Sequence, residues 1–239
     1  MGSNAEVPTP PWRRSRKPVK RQLSQDLIVE TGLHVLDAEG FDALSMRRVA
    51  QELDTGPASL YAHVANKEEL LELIYDRVLG EIKLPERDPS RWREQLREYA
   101  LEAHRVLCGH ADVARAALAT IPTGPNALRV GEFLLGLLIE AGMSPGNAAL
   151  VLDRLTLYIS GDAFEGSLHW TRMRASGRSD PKEYIESFIG QIADYYGSLP
   201  PAQFPFVTRH VDALIDADGE ERFRFGLDLL LGGIDPLMP

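Results

Sequence analysis

The 239-residue chain is 44% hydrophobic, enough for one or two domains with a sizeable core, and its net charge of −9 argues against a protein that coats nucleic acid regardless of sequence. The single cysteine, Cys108, excludes an intramolecular disulfide, and no apolar run reaches the roughly 18 residues that a membrane span needs. We therefore expect a cytoplasmic protein with no membrane partner.

Residues 1–21 form a basic arm that is rich in proline and glycine. Its Lys and Arg side chains are Arg13, Arg14, Arg16, Lys17, Lys20 and Arg21. Because such a segment cannot bury enough apolar surface to fold, we expect it to be disordered. Two interpretations stay open: the arm lies along DNA phosphates or in the minor groove, or it is only a solubilising tail.

The first predicted helix runs from about Ser24 to Glu39, with apolar residues at helical spacing. Gly40 follows its last turn and is typical of a helix C-terminus. We expect Phe41 and Leu44 to complete a small three-helix core with the two helices that follow.

Residues 44–71 begin with two short helices joined by a tight turn. Ser45 can cap the first helix, whose apolar residues recur at i, i+3, i+4 and i+7 starting from Met46. The turn is predicted at Asp54-Thr55-Gly56, where we expect Gly56 to allow a positive φ.

The second short helix is predicted from Pro57 to about Val64, because the missing N–H of proline costs nothing in a first turn. Its outward positions carry hydroxyl, aromatic and imidazole groups. A capping box, Asn66-x-x-Glu69, then opens a longer helix. Two short helices of this kind, with a polar outer surface on the second, have the geometry that places a helix in the DNA major groove.

The stretch SMRRVAQELDTGPASLYAHVANKEELL, with the helix before it, resembles the DNA-binding domain of TetR-family transcriptional repressors. Its run L-Y-x-H-V-x-N-K is most similar to the tetracycline repressors, and the family pattern covers about residues 23–82. Near the end of the chain, ERFRFGLDLLLGGI is similar to the closing helix of many members. Pro57 and Ala62 stand where tetracycline repressors carry a polar base reader and a large aromatic residue, so we expect a different operator.

The resemblance and the local geometry together imply a set of DNA contacts. Arg47 matches a position that reaches the DNA in the tetracycline repressors, and arginine is the commonest reader of guanine. Lys67 would contact a phosphate at the start of the next helix. The candidates are Ser45, Arg47, Thr55, Gly56, Pro57, Ala58, Ser59, Tyr61, His63 and Lys67. Single side chains could instead be structural: Tyr61 as packing, His63 as a cap.

The apolar spacing in the rest of the sequence predicts further helices. The sequence shows no alternating strand pattern, so the predicted fold class is all-α. The predicted ranges are 66–82, 90–108, 111–120, 126–141, 145–173, 184–195, 206–215 and 220–234. The helix over 126–141 is apolar nearly all round and is expected to lie centrally. We expect a helix-turn-helix domain over 22–66 and a larger helical ligand-binding and dimerisation domain over 67–239.

Two stretches, 150–170 and 223–234, are too apolar for ordinary surface helices. They are either buried within one chain or form a dimer interface. The resemblance implies the dimer, with both helices contributing to an intermolecular four-helix bundle. One recognition helix contacts too few base pairs, and a two-fold dimer with half-sites about 34–36 Å apart is the usual solution.

Polar or aromatic groups interrupt several apolar helix faces, as the lining of a ligand pocket does. The candidates are His104, Arg129, Phe133, Tyr158, Asp162, Phe164 and Trp170, with His169 beside them. Each could equally be a satisfied core or interface group. The resemblance implies a small-molecule inducer that prefers the state unable to bind DNA.

An enzyme is the main alternative class. His104, Cys108 and His110 could suggest a thiolate pair or a metal cluster, but no second ligand cluster accompanies them, and H-E-x-x-H, P-loop and G-x-S-x-G motifs are absent. We therefore expect no catalysis, no metal and no cofactor. The sequence predicts a homodimeric repressor of operator DNA that a small molecule releases; an activator, a ligand-independent regulator or an interaction module that has lost DNA binding remains open.

Overall fold

The computed structural model describes residues 22–110, 112–118 and 123–238, which are helical and contain no strand, so the predicted all-α class is confirmed. The helices are α1 (Gln25–Glu39), α2 (Met46–Glu52), α3 (Pro57–Leu60), α4 (Lys67–Leu79), α5 (Trp92–Gly109), α6 (Val113–Ala117), α7 (Pro125–Glu140), α8 (Pro145–Ala175), α9 (Pro181–Ser198), α10 (Pro205–Arg209), α11 (Val211–Ile215) and α12 (Gly219–Ile234). Within those ranges, none of the helices has both the length and the apolar character to cross a membrane. The predicted basic arm lies outside the described residues.

Helices α1 to α3 form a three-helix unit, residues 22–66, which we call the head. The predicted ends of α1 are confirmed: Ser24 Oγ accepts a hydrogen bond from a first-turn N–H at 3.2 Å, and Gly40 follows the last turn with φ of 90°. Leu44 is buried in the small core, and Phe41 packs against it half-buried. These local signals explain why the chain folds here as the sequence predicts.

Helix α4 connects the head to residues 84–238, which we call the body. It packs on α1 on one side and on α6 and α7 on the other. The approach to α1 is close, because a Cβ at Gly32 would lie 2.9 Å from the Ile74 side chain. One continuous cluster of buried apolar residues runs from the head to α12. A shift of α4 therefore changes packing in both parts.

The body is built around α5, α7 and α8, with α12 packed against α5 and α8. Leu134, Leu137 and Leu138 of α7 are fully buried, as expected for a central helix. Leu128 and Ile139 on the same helix are exposed, so this central helix is not covered on every side. One apolar face of α7 packs in the core, and the other is exposed at the surface of the chain.

Two predicted helix ranges are wrong in detail. The recognition helix is α-helical from Pro57 to Leu60, and the residues after it up to Val64 continue as a turn in which the N–H groups of His63 and Val64 both donate to the Leu60 carbonyl. The helix predicted over 206–215 is two short helices, α10 and α11, because His210, with φ of −120°, leaves the helical backbone conformation.

Candidate nucleic-acid interface and ligand site

Helix α2, the following turn and α3 hold the predicted DNA contacts in place. The predicted cap is confirmed: Ser45 Oγ accepts a hydrogen bond from Arg48 N–H at 3.1 Å. In the turn, Thr55 N–H donates to Ala50 O at 3.0 Å. The positive φ lies at Asp54, at 48°, whereas Gly56 is extended with φ of −85°, so the expectation of a positive φ at Gly56 is wrong. An aspartate tolerates this conformation better than most side chains.

The outer surface of α3 is open to solvent. Leu60 and Val64 are buried and anchor it to the head, as predicted. Six of the predicted DNA contacts are exposed, namely Arg47, Gly56, Pro57, Ala58, Ser59 and Tyr61. Four are half-buried, namely Ser45, Thr55, His63 and Lys67. The head therefore brings the predicted contacts to one small region around the turn and α3.

The two neighbouring arginines of α2 differ in their surroundings. Arg48 forms ion pairs with Glu39 at 2.6 Å and with Glu52 at 2.8 Å. The hydrogen bond from Arg48 holds the pKa of the Glu39 carboxyl below its usual value. Arg47 is exposed on the other side of α2. Arg47 thus suits a base contact, whereas Arg48 links α2 to the end of α1.

The start of α4 follows the predicted capping pattern. Asn66 Oδ1 accepts a hydrogen bond from Glu69 N–H at 2.7 Å, and the Glu69 carboxylate in turn accepts from the N–H of Ala65, one residue before the usual position. Lys67 Nζ lies 4.9 Å from the centre of the Phe41 ring. Its positive charge therefore lies against the head at the first turn of α4, where a DNA phosphate is also favoured.

A groove of about 780 Å³ lies between α1 and the turn after α2. Glu30, Glu52 and Asp54 line it together with Thr55. Arg77 pairs with Glu30, and Arg48 pairs with Glu52 at 2.8 Å. The acidic groups of this groove favour a DNA contact on the outer surface of α3 rather than in the groove.

Three of the predicted ligand residues come together between α5, α8 and α12. His104 Nε2 lies 2.8 Å from Asp162 Oδ1, and the His104 ring stacks on Phe223 at a centroid distance of 3.8 Å. Tyr158 donates its hydroxyl hydrogen to the Phe223 carbonyl at 2.7 Å. Burial by itself would lower the pKa of His104, but the hydrogen bonds with Asp162 and Cys108 outweigh it and raise the pKa to about 9. This charged pair beside the Phe223 ring could bind a polar group of a ligand.

The other predicted ligand residues are placed apart from this cluster. Arg129 donates to the carbonyls of Leu79 and Ile82 at 3.1 Å each, which satisfies the end of α4. Phe133 is buried in the core and Phe164 packs against it half-buried, whereas Trp170 is half-exposed. His169 forms an edge-to-face contact with Phe188 of α9, with the ring centroids 5.4 Å apart.

Sequence reasoning missed a group of buried hydroxyls where α4, α5 and α8 meet. Tyr75, Tyr99 and Ser160 are all nearly inaccessible to solvent. Burial raises the pKa of Tyr75 to about 12 and raises that of Tyr99 as well. The Ser160 hydroxyl faces Tyr75 without meeting hydrogen-bond geometry. Tyrosine and serine at apolar helix positions carry no distinguishing sequence signal, so only the fold identifies the group.

A second missed feature joins the head to the body. His110, after α5, contacts Asp37 of α1 through Nδ1 at 2.9 Å and Glu81 through Nε2 at 3.2 Å. The hydrogen bond to Asp37 raises the pKa of His110. Two residues later, the Asp112 carboxylate accepts a hydrogen bond from Phe41 N–H at 3.0 Å. His110 and Asp112, which lie between α5 and α6, therefore both hydrogen-bond to the chain at the end of α1.

The two parts of the chain match two models of one protein family. Residues 28–74 match the model for bacterial regulatory proteins of the tetR family. Residues 84–238 match the model for the tetracyclin repressor-like C-terminal domain. The first match covers most of the head and the start of α4, and the second match covers the body.

Curated relatives and solved structures agree. An HTH-type transcriptional regulator of Saccharopolyspora erythraea is 33% identical over 190 residues, covering 80% of this chain and 80% of that protein. The HTH-type transcriptional repressor DrrR1 of Streptomyces coeruleorubidus is 29% identical, covering 95% and 84%. ActR of Streptomyces coelicolor, solved in complex with actinorhodin, is 40% identical with a TM-score of 0.78, covering 90% of this chain and 97% of ActR. The chain therefore belongs to the TetR family of bacterial transcriptional regulators, and it is a DNA-binding regulator rather than an enzyme.

Proposed function

We propose that this regulator is a cytoplasmic repressor that binds a palindromic operator as a homodimer and leaves it when a small molecule binds. The observation that carries the proposal is an apolar face that a single chain leaves exposed on α8 and α12, two of the three helices that form the His104 cluster. A dimer through this face would couple two DNA-binding heads to two ligand sites.

The exposed apolar side chains are large and share helix faces. Leu150 and Leu157 of α8 lie seven residues apart and are 64% and 49% exposed. Phe225 and Leu229 of α12 lie four residues apart and are 66% and 64% exposed. These spacings place each pair on one side of its helix. The opposite faces of both helices are buried, so burial within one chain does not account for these residues.

The proposed DNA contacts divide by chemistry. Arg47 would donate to a base edge in the major groove, and Pro57 and Ala58 could contact thymine methyl groups. The Ser59 and Tyr61 hydroxyls would donate to phosphates, with Lys67 adding charge beside them. Phosphate contacts position the head, and the base contacts supply the sequence preference.

The proposed ligand site is centred on His104, Asp162 and Tyr158. Support comes from the imidazole–carboxylate pair, whose imidazole stacks on Phe223 with Tyr158 stacked on the same ring, and from ActR, which has been solved with actinorhodin and with (S)-DNPA. We propose that the ligand of this chain belongs to the chemical class of those two compounds. Helices α5 and α8 carry the site; α5 packs against α4, and Arg174 of α8 donates to the backbone carbonyl of Asp37 in the head. A ligand that separates these helices would therefore tilt the recognition surface.

Selection of bound fragments from the source genome tests this proposal. The full-length protein is incubated with fragmented DNA at about 0.15 M salt, and bound fragments are sequenced before and after addition of actinorhodin. Recovery of a few inverted repeats that actinorhodin releases supports a ligand-controlled dimeric repressor. Recovery of unrelated fragments whose affinity follows salt alone would contradict operator recognition. Specific sites that are never released would contradict the proposed ligand class.

A further inference from the structure

A cavity lies where the head meets the body, apart from the DNA surface. It has a volume of about 300 Å³ and is bounded by the end of α1, the end of α5 and the second half of α8. Leu107, Ala163 and Trp170 line it with apolar surface, and Asp37 and His110 line it with polar groups. This volume lies at the lower end of the range that holds small organic ligands.

One oxygen of the Asp37 carboxylate lacks a hydrogen-bond donor. Asp37 Oδ2 is 2.9 Å from His110 Nδ1, whereas Oδ1 is buried and has no partner within the part of the chain that the structure describes. A buried acceptor without a donor is unfavourable, because it loses its hydrogen bonds to water without replacing them. A molecule in the cavity that donates a hydrogen bond to Oδ1 would remove this deficit.

The charges around the cavity argue for an uncharged molecule. Asp37 and Glu81 are acidic, and His110 contacts both. Arg174, which lines the cavity, donates to the backbone carbonyl of Asp37 at 3.4 Å. Inside the cavity a cation would meet Arg174 and the imidazole, and an anion would meet the Asp37 carboxylate, so a charge of either sign is disfavoured.

We propose that this cavity binds a small, flat, uncharged molecule that carries one hydroxyl donor, a phenol being the simplest case. Its ring lies against Leu107 and Trp170, and its hydroxyl donates to Asp37 Oδ1. Because Asp37 belongs to the head while Leu107 and Trp170 belong to the body, the molecule touches both parts of the chain. The proposal is independent of the ligand proposed for the His104 cluster.

Equilibrium dialysis of the full-length chain against 2-naphthol, an uncharged fluorescent phenol, tests the proposal. 2-Methoxynaphthalene keeps the rings but has no donor, and 2-naphthoate is an anion. We expect saturable binding of one 2-naphthol per chain, and binding weaker by about tenfold or more for both comparison compounds. Equal binding of 2-naphthol and 2-methoxynaphthalene, or no saturable binding of 2-naphthol, would overturn the proposal.

A substitution that fills the cavity locates the bound phenol. Gly166 of α8 lines the cavity, and a Cβ built there meets no atom within 4 Å, so Gly166→Leu occupies open space. Gly190→Leu is the matched control, an exposed helical glycine on α9 whose Cβ also meets nothing within 4 Å. We expect Gly166→Leu to weaken 2-naphthol binding by about tenfold or more and Gly190→Leu to leave it unchanged.

Trp170→Ala provides a second variant in case Gly166→Leu folds poorly, because the half-exposed Trp170 contributes an aromatic wall without filling the core. We expect weaker 2-naphthol binding by about tenfold. Full-strength binding in a folded Gly166→Leu or Trp170→Ala variant would place the phenol elsewhere and overturn the proposal.

Discussion

His110 Nδ1 lies 2.9 Å from Asp37 Oδ2, so the end of α5 in the body is hydrogen-bonded to the end of α1 in the head. The other ring nitrogen, Nε2, lies 3.2 Å from Glu81, just beyond the end of α4. One imidazole therefore joins the three segments whose relative placement determines where the recognition surface lies on the body.

This joint should depend on pH. The hydrogen bond to Asp37 raises the pKa of His110 above its ordinary 6.5. A pKa that is higher in the folded than in the unfolded state stabilises the fold fully below the unfolded pKa, and this contribution is lost as pH rises through the folded pKa. We expect His110→Gln to lower Tm more at about pH 6 than at about pH 9, as measured by circular dichroism. His34→Gln, an exposed histidine of α1, is the control, and a larger loss at alkaline pH would contradict the assignment.

The His104–Asp162 pair makes a separate prediction. The pKa of His104 is raised to about 9, so its imidazole should stay protonated at neutral pH and titrate in an NMR pH series near that value. Asp162→Asn removes the charged partner at 2.8 Å and should lower the midpoint by about one unit or more. A midpoint that does not move in Asp162→Asn would show that Asp162 does not hold the imidazolium.

Arg47 and Lys67 should have different effects on DNA binding. We expect Arg47→Ala to weaken specific binding by about 1–3 kcal/mol and to relax the preference at one base pair. We expect Lys67→Ala to weaken binding to all sequences alike and to reduce the salt slope by about one. Fluorescence anisotropy with operator and random duplexes at several salt concentrations measures both. Equal effects of the two substitutions on every sequence would rule out these roles.

The proposed dimer face predicts a change in oligomeric state. Leu229→Arg places a charge among the exposed apolar residues of α12 and should weaken dimerisation by about tenfold or more, as measured by sedimentation velocity. Leu128→Arg is the matched control, because Leu128 is equally exposed on α7, away from the proposed face. A dimer that survives Leu229→Arg, or that Leu128→Arg disrupts, would show that another surface is used.

Much of the head could be predicted from the sequence because its signals are local. Ser24, Ser45 and Asn66 each cap a helix through an N–H only three residues away, so short sequence patterns are sufficient to place the helix starts. The resemblance to one family then predicts which exposed residues would contact DNA. The positive φ occurs at Asp54 and not, as predicted, at Gly56. The sequence of a tight turn therefore does not by itself determine which of its residues takes the left-handed conformation.

Contacts between distant segments could not be predicted in the same way. His110 and Asp37 are 73 residues apart, and their contact depends on how α5 packs beside α1. The same holds for Arg129, a predicted ligand contact, whose hydrogen bonds to the carbonyls at the end of α4 depend on how α7 packs beside α4. His104 and Cys108 share a helix face, but the stacking of Phe223 on His104 requires α12 to return to α5.

Native mass spectrometry of the protein on one recovered inverted-repeat fragment counts the chains bound to a single operator. We expect a complex of two chains on one duplex, which dissociates when actinorhodin is added and forms with a single chain or not at all when one half-site is scrambled. A stable complex with one chain per intact inverted repeat, or equal binding to intact and scrambled duplexes, would contradict a dimeric operator-binding repressor.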